Sequence, residues 1–152
     1  MNQKWIAFLR IVVGIFFVGE GLGKLEWYTS SEFLKLDIDR FAQNAPAISA
    51  WYQKHIAYPG IEAWARLIPT GEILIGIALI IGLLTLPTLI IAFLLVLNFN
   101  LTNGTLFSWR FFSNPYALLL LSCLFILMNG KAGKFFALDK ATGGRKKTKL
   151  PL

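Results

Sequence analysis

Two glutamates stand where apolar side chains are expected. Glu20 interrupts the run GIFFVGEGLGK, Gly14 to Lys24, and Glu72 follows Pro69 and Gly71 in a second apolar stretch. An ionised side chain near the centre of a bilayer costs about 2.5–3.5 kcal/mol on insertion scales, so each needs a partner or a cavity. Lys24 follows Glu20 by four residues, the favourable order for a same-face helical ion pair, and Glu62 with Arg66 repeats that arrangement. Arg110 lies among phenylalanines, while Asn98, Asn100 and Asn103 give polar amides to the end of a third apolar run.

We take Glu72, Lys24, Glu20, Arg66, Arg110 and Asn98 as the candidate polar cluster; no residue is assigned as catalytic. Carboxylates inside a membrane commonly relay protons, and beside a flat apolar ligand such as a quinone headgroup they would supply the protons of reduction. The plainer alternative is a set of compensating ion pairs that holds a bundle together. A single histidine, His55, excludes bis-histidine haem ligation and a His-rich metal centre within this chain, and no metal site is expected. The lone Cys123 excludes a CxxC thiol pair. No flavin or nicotinamide motif is present, so electrons for a redox reaction would come from a partner subunit or an unrecognised cofactor.

The elements that position this cluster are helices. With 56% hydrophobic and only 15% charged residues, the chain has the composition of an integral membrane protein. Apolar runs predict an all-α bundle of four transmembrane helices, over about 5–25, 61–84, 86–103 and 114–130, within one domain of residues 1–141. Residues 142–152 form a basic tail. The outer loop, 26–60, carries Phe33, Leu34, Ile38 and Phe41 at helical spacing and then Trp51, Tyr52 and Ile56, which predicts two short amphipathic helices. Trp27, Tyr28, Trp51, Tyr52, Tyr58 and Trp64 suit an interfacial aromatic belt.

Lys131, Lys134, Lys140, Arg145, Lys146, Lys147 and Lys149 against Asp139 place the C-terminus in the cytoplasm, rather than on nucleic acid. Four crossings then put the N-terminus inside too and gather the candidate cluster in the outer leaflet. Arg10, near the cytoplasmic end, is expected to snorkel toward headgroups as an anchor. Gly19 and Gly23 form a GxxxG spacing for close helix approach. Pro69 is expected to kink the second helix, and Thr85 to cap the third, with Pro87 in its first turn.

The runs RIVVGIFFVGEGLGKL, GEILIGIALIIGLLT and NPYALLLLSCLFILMNGKAGKFFALD resemble the DoxX family of small four-helix bacterial membrane proteins. Arg10, Gly14, Gly21, Lys24, Glu72, Gly76, Gly82, Gly130, Gly133 and Asp139 carry the resemblance. It implies a place in the bacterial cytoplasmic membrane and a link to quinol oxidation, thiosulfate:quinone oxidoreduction or other redox and detoxification complexes. Carried over by position, it points to Arg10, Lys24 and Glu72; Glu20 is outside the pattern. Two functions follow as expectations. One is a membrane subunit of a quinone-linked oxidoreductase with a bound quinone and a redox partner. The other is a non-enzymatic scaffold that docks a partner or a second copy of itself. A small-molecule transporter ranks below both.

Overall fold

The computed structural model describes residues 2–130, 132–134 and 137–138. The tail and the Asp139 position of the family pattern lie outside the described residues.

The elements are α1 (Gln3–Leu22), α2 (Glu32–Ala42), α3 (Ala47–Tyr52, continued by a π-helical turn Gln53–Ala57), α4 (Ile61–Ile81), α5 (Thr85–Thr102), α6 (Arg110–Ser113) and α7 (Pro115–Asn129). Short 3-10 turns follow α1 at Leu25–Tyr28 and α7 at Ala132–Lys134. Three helices, α1, α4 and α5, are long and apolar enough to cross a membrane. The fourth, α7, is apolar but spans 15 residues, about 22 Å at 1.5 Å per residue. Helices α2 and α3 lie between α1 and α4 in the chain, and α2 turns Leu34 and Ile38 inward.

Helix α1 starts at Asn2, whose side chain accepts a bond from the Lys4 N–H, and ends at Leu22, earlier than its apolar run suggests. Beyond Gly23 the chain tightens into the 3-10 turn, so Lys24 stands at a corner rather than along a helix. At the opposite end of the bundle Gly82 and Leu84 both have positive φ, 69° and 45°, and reverse the chain between α4 and α5. Leu84 therefore occupies the N-cap of α5 and Thr85 is already its first helical residue, which corrects the expected threonine cap. The hydroxyl of Thr88 instead bonds the Leu83 carbonyl at 3.3 Å.

The closest helix pair is α1 with α4, and glycine makes it so. A Cβ on Gly14 would stand 2.8 Å from the Gly76 carbonyl oxygen, and one on Gly21 would stand 2.8 Å from the Pro69 carbonyl oxygen. A Cβ on Gly76 would lie 2.6 Å from the Gly14 carbonyl oxygen. Gly19 meets nothing within 4 Å, and Gly23 touches only carbonyls of its own helix. The GxxxG expectation thus names the wrong pair: Gly19 faces outward, while Gly14 and Gly21, two turns apart, line the seam. Helix α4 passes through Pro69 as a single element, with the Thr70 hydroxyl bonded to the Arg66 carbonyl at 2.6 Å.

One apolar core joins the four long helices through Val13, Phe17, Ile75, Leu79, Leu89, Val96, Leu124 and Leu127. A second core, Trp27, Leu34, Ile38, Ala57, Ala65 and Ile68, seats the loop helices on α4. Trp5, Phe8, Ile15, Leu67, Leu74, Leu94 and Leu119 point outward and are 58–68% exposed, a belt that suits lipid rather than water.

The seam gives a direct test. Gly76→Leu forces a side chain into the α1 backbone and is expected to lower stability by about 1–3 kcal/mol, the range for overpacking. Gly19→Leu is expected to leave the unfolding midpoint in detergent within error, and equal damage from both would contradict this packing.

Candidate functional site

Lys24 organises the polar interior. Its Nζ lies 2.8 Å from both carboxylate oxygens of Glu72 and 3.0 Å from Glu20 Oε2, and it also donates to the Glu20 carbonyl at 3.2 Å. The side chains of Glu72, Lys24 and Glu20 are 3%, 18% and 42% exposed, so the trio grades from the core to the rim. The ammonium also lies 5.9 Å from the ring centre of Trp27 and 5.5 Å from that of Phe99. Stacked above ring faces, a cation is attracted by the quadrupole of each.

The local geometry follows from the sequence. The 3-10 turn after Gly23 swings Lys24 across the seam, and Glu72 enters it one turn beyond Pro69. Removing one partner from such a buried pair costs about 3–5 kcal/mol, whereas an exposed pair contributes about 0–1 kcal/mol. Glu72 is therefore the structural partner of Lys24, and Glu20 the accessible one.

Two cavities meet at this cation. One, of about 160 Å³, is walled by Trp27, Phe41, Tyr52, Trp64 and Phe99, with Asp37, Asn98 and Lys24 as polar groups. The other, of about 260 Å³, is lined by Phe16, Phe17, Glu20, Glu72, Asn100 and Asn114. Lys24, Phe99 and Asn103 belong to both walls.

Loop helix α3 completes the first cavity. The Tyr52 hydroxyl donates to Asn98 Oδ1, and the Gln53 side chain, 2% exposed, donates to the Thr102 carbonyl at 2.7 Å. Burial pushes the Tyr52 hydroxyl pKa up. Nearby, burial first and then the bond it donates to Asp39 push the Tyr58 hydroxyl up to about 12. Tyr52 was legible as part of a short amphipathic helix and the aromatic belt, but nothing in the sequence signalled that Gln53, which opens the π turn, would reach α5. Asn100 is buried but internally satisfied, with Nδ2 on the Val96 carbonyl at 2.8 Å and Oδ1 accepting from Thr105 at 2.8 Å.

The structure brings Glu20, Lys24 and Glu72 together and sets Asn98 on the wall of the adjoining cavity. Arg66 is not in this group: it pairs with Glu62 at 3.3 Å, with both side chains more than half exposed, because positions 62 and 66 face away from the bundle. Arg110 is not there either; it lies exposed on α6 and borders a separate cleft with Arg40. Arg10 also departs from expectation. It is 0% exposed, and its Nη1 donates to the Ala132 carbonyl at 2.8 Å, so it ties α1 to the segment after α7 instead of reaching headgroups. A Cβ on Gly82 would stand 2.5 Å from Ala137 Cβ and 2.7 Å from that Nη1, and the positive φ of 69° itself favours glycine at the α4–α5 turn.

With this geometry in hand, the family is decided by a match of the DoxX family model to residues 5–102, well over half of the chain. The chain belongs to the DoxX family. The matched stretch holds α1, the loop helices, α4 and α5, and with them Glu20, Lys24 and Glu72. No curated protein and no solved structure matched the chain. Family and apolar helices together make this DoxX protein a membrane protein.

The two arginines on α1 and α4 separate a packed residue from a surface one. Arg10→Leu is expected to destabilise the protein by about 1.5–3 kcal/mol, the worth of a buried bond from a charged donor. Arg66→Ala is expected to stay within about 0.5 kcal/mol. Thermal unfolding in detergent measures both, and a harmless Arg10→Leu would contradict the buried placement.

Proposed function

We propose that this DoxX protein is the membrane subunit of a quinone-linked redox complex and that the aromatic cavity takes the quinone headgroup. The observation that carries the proposal is the position of Lys24. Its ammonium forms part of an otherwise aromatic wall while being held by a buried carboxylate.

The residues present fit such a group. Trp27, Tyr52, Trp64 and Phe99 offer ring faces and edges to a flat ring, and Lys24 is a charged donor for a carbonyl oxygen. A bound quinone supplies a two-electron acceptor; its reduction to quinol takes two electrons and two protons. The electrons would come from a partner subunit or an unrecognised cofactor. Lys24 orients the carbonyl and favours negative charge developing on its oxygen. Glu20, the more exposed carboxylate, exchanges protons with the surroundings, and Glu72 holds Lys24 in place and passes protons within the trio. Loop helices α2 and α3 keep water from the ring.

In the same reading α7 is a fourth crossing, set in locally thinned bilayer or lengthened at its ends. Both termini then lie in the cytoplasm of a bacterial cell, and the Lys24 trio lies in the outer leaflet. The basic tail supports that orientation through the positive-inside bias.

Titration of a short-chain quinone into the protein in lipid nanodiscs, followed by tryptophan fluorescence, tests the site. Saturable quenching is expected, with affinity reduced at least about tenfold by Lys24→Met and by Phe99→Ala, each worth about 1.4 kcal/mol or more. Absence of saturable quenching, or quenching that neither substitution changes, would remove the quinone reading and favour a scaffold.

A further inference from the structure

A third cleft, of about 90 Å³, lies away from Lys24 and is mainly cationic. Arg40 and Arg110 border it with Asn44, Asn103 and Ser108. It is assembled from two distant segments, the end of α2 and the loop from α5 to α6. Gly104, at φ 69°, lets them meet: a Cβ there would stand 2.9 Å from Pro46 Cδ, between α2 and α3.

The charges are not consumed by the fold. Arg40 has a 3.4 Å ion pair with Asp37, and both are exposed at 76% and 43%, so most of the guanidinium fork remains accessible. Arg110 is exposed, and its backbone N–H bonds the Oγ of Ser108, another residue of the cleft wall, at 3.2 Å. Asp37 is the acid beside the pair, leaving one net positive charge. Guanidinium forks match phosphate oxygens in bidentate fashion, and the Asn44 and Asn103 amides add neutral donors.

Beside the cleft the surface changes from cationic to apolar. Phe107, Trp109 and Phe112 are 60%, 83% and 60% exposed, with Trp109 and Phe112 rings 5.2 Å apart. A free oxyanion has no use for such a skirt, whereas a lipid has both parts. Tryptophan and phenylalanine at that height contact the upper acyl chain, and basic residues attract anionic headgroups.

We infer that the Arg40–Arg110 cleft is a binding site for the phosphate of an anionic phospholipid whose acyl chains lie over Phe107, Trp109 and Phe112. The ligand is of the phosphatidylglycerol type; the quaternary ammonium of phosphatidylcholine is repelled by the same arginines. The site is separate from the Lys24 trio and does not rest on the quinone reading, although Phe41 and Asn103 are common to this cleft and the aromatic cavity.

Native mass spectrometry of the full-length protein from mixed micelles of phosphatidylglycerol and phosphatidylcholine tests it. Wild type is expected to retain phosphatidylglycerol preferentially, and R40Q/R110Q to retain at least about fivefold less. K35Q/K54Q removes two exposed lysines of the same outer loop and is expected to stay within about twofold of wild type. Trp109→Ala is expected to lower retention of both lipids while keeping the preference. Equal retention by R40Q/R110Q and wild type overturns the site. So does an equal loss in K35Q/K54Q, which would mean bulk charge alone. Displacement of the lipid by millimolar inorganic phosphate would also overturn it, in favour of a free oxyanion site.

Discussion

A carboxylate buried beside apolar helices must keep its counter-ion, and in this protein that requirement links everything around the α1–α4 seam. Glu72 is 2% exposed, and Lys24 reaches it at 2.8 Å only because the two helices run in near-backbone contact. Gly14, Gly21 and Gly76 make that approach; a single Cβ at any of them would meet a carbonyl of the opposite helix. The chain then has to leave α1 sharply, which the 3-10 turn after Gly23 does. Small residues on the seam, a corner at its end and an ion pair across it form one device. Because the corner also raises Trp27, the same turn that places the cation places an aromatic wall beside it.

The other end of the bundle repeats the logic with a different cation. Arg10 is enclosed where α1 meets the α4–α5 reversal and the segment after α7, and donates to the Ala132 carbonyl. Helix ends leave carbonyls without internal partners, and a long cationic donor is suited to satisfy one where water is scarce. One cation thus serves each end of α1. At Lys24 two cavities adjoin the cation, whereas Arg10 is fully enclosed and holds a backbone carbonyl. That contrast is why the chemistry is assigned to the Lys24 end.

Much of the architecture was legible because apolar length and period report on single helices. The apolar runs and the loop pattern at Phe33–Phe41 each correspond to a helix, and Glu20 with Lys24 was readable from spacing alone. What escaped was the face each residue presents, since a pair such as Lys24 and Glu72 depends on the rotation of two helices. A signal did exist. Ile6, Arg10, Val13 and Phe17 fall on one helical stripe, as do Ala65, Ile68, Glu72, Ile75 and Leu79, and every member is buried. Reading depth alone sent Arg10 to the headgroups; reading the stripe puts it inside. The same criterion leaves Glu62, Arg66 and Gly19 outside. Gln53 had no such signal, because the π turn that it opens changes the phase of the helix.

The central claim is that Lys24 and Glu72 act as one buried unit, with Glu20 as a peripheral member. A double-mutant cycle on unfolding in detergent, using Lys24→Met and Glu72→Gln singly and together, measures it most directly. The account predicts a coupling energy of at least about 2 kcal/mol between positions 24 and 72, against about 0.5 kcal/mol or less for the matching cycle between 24 and 20. Additive losses at 24 and 72 would contradict it.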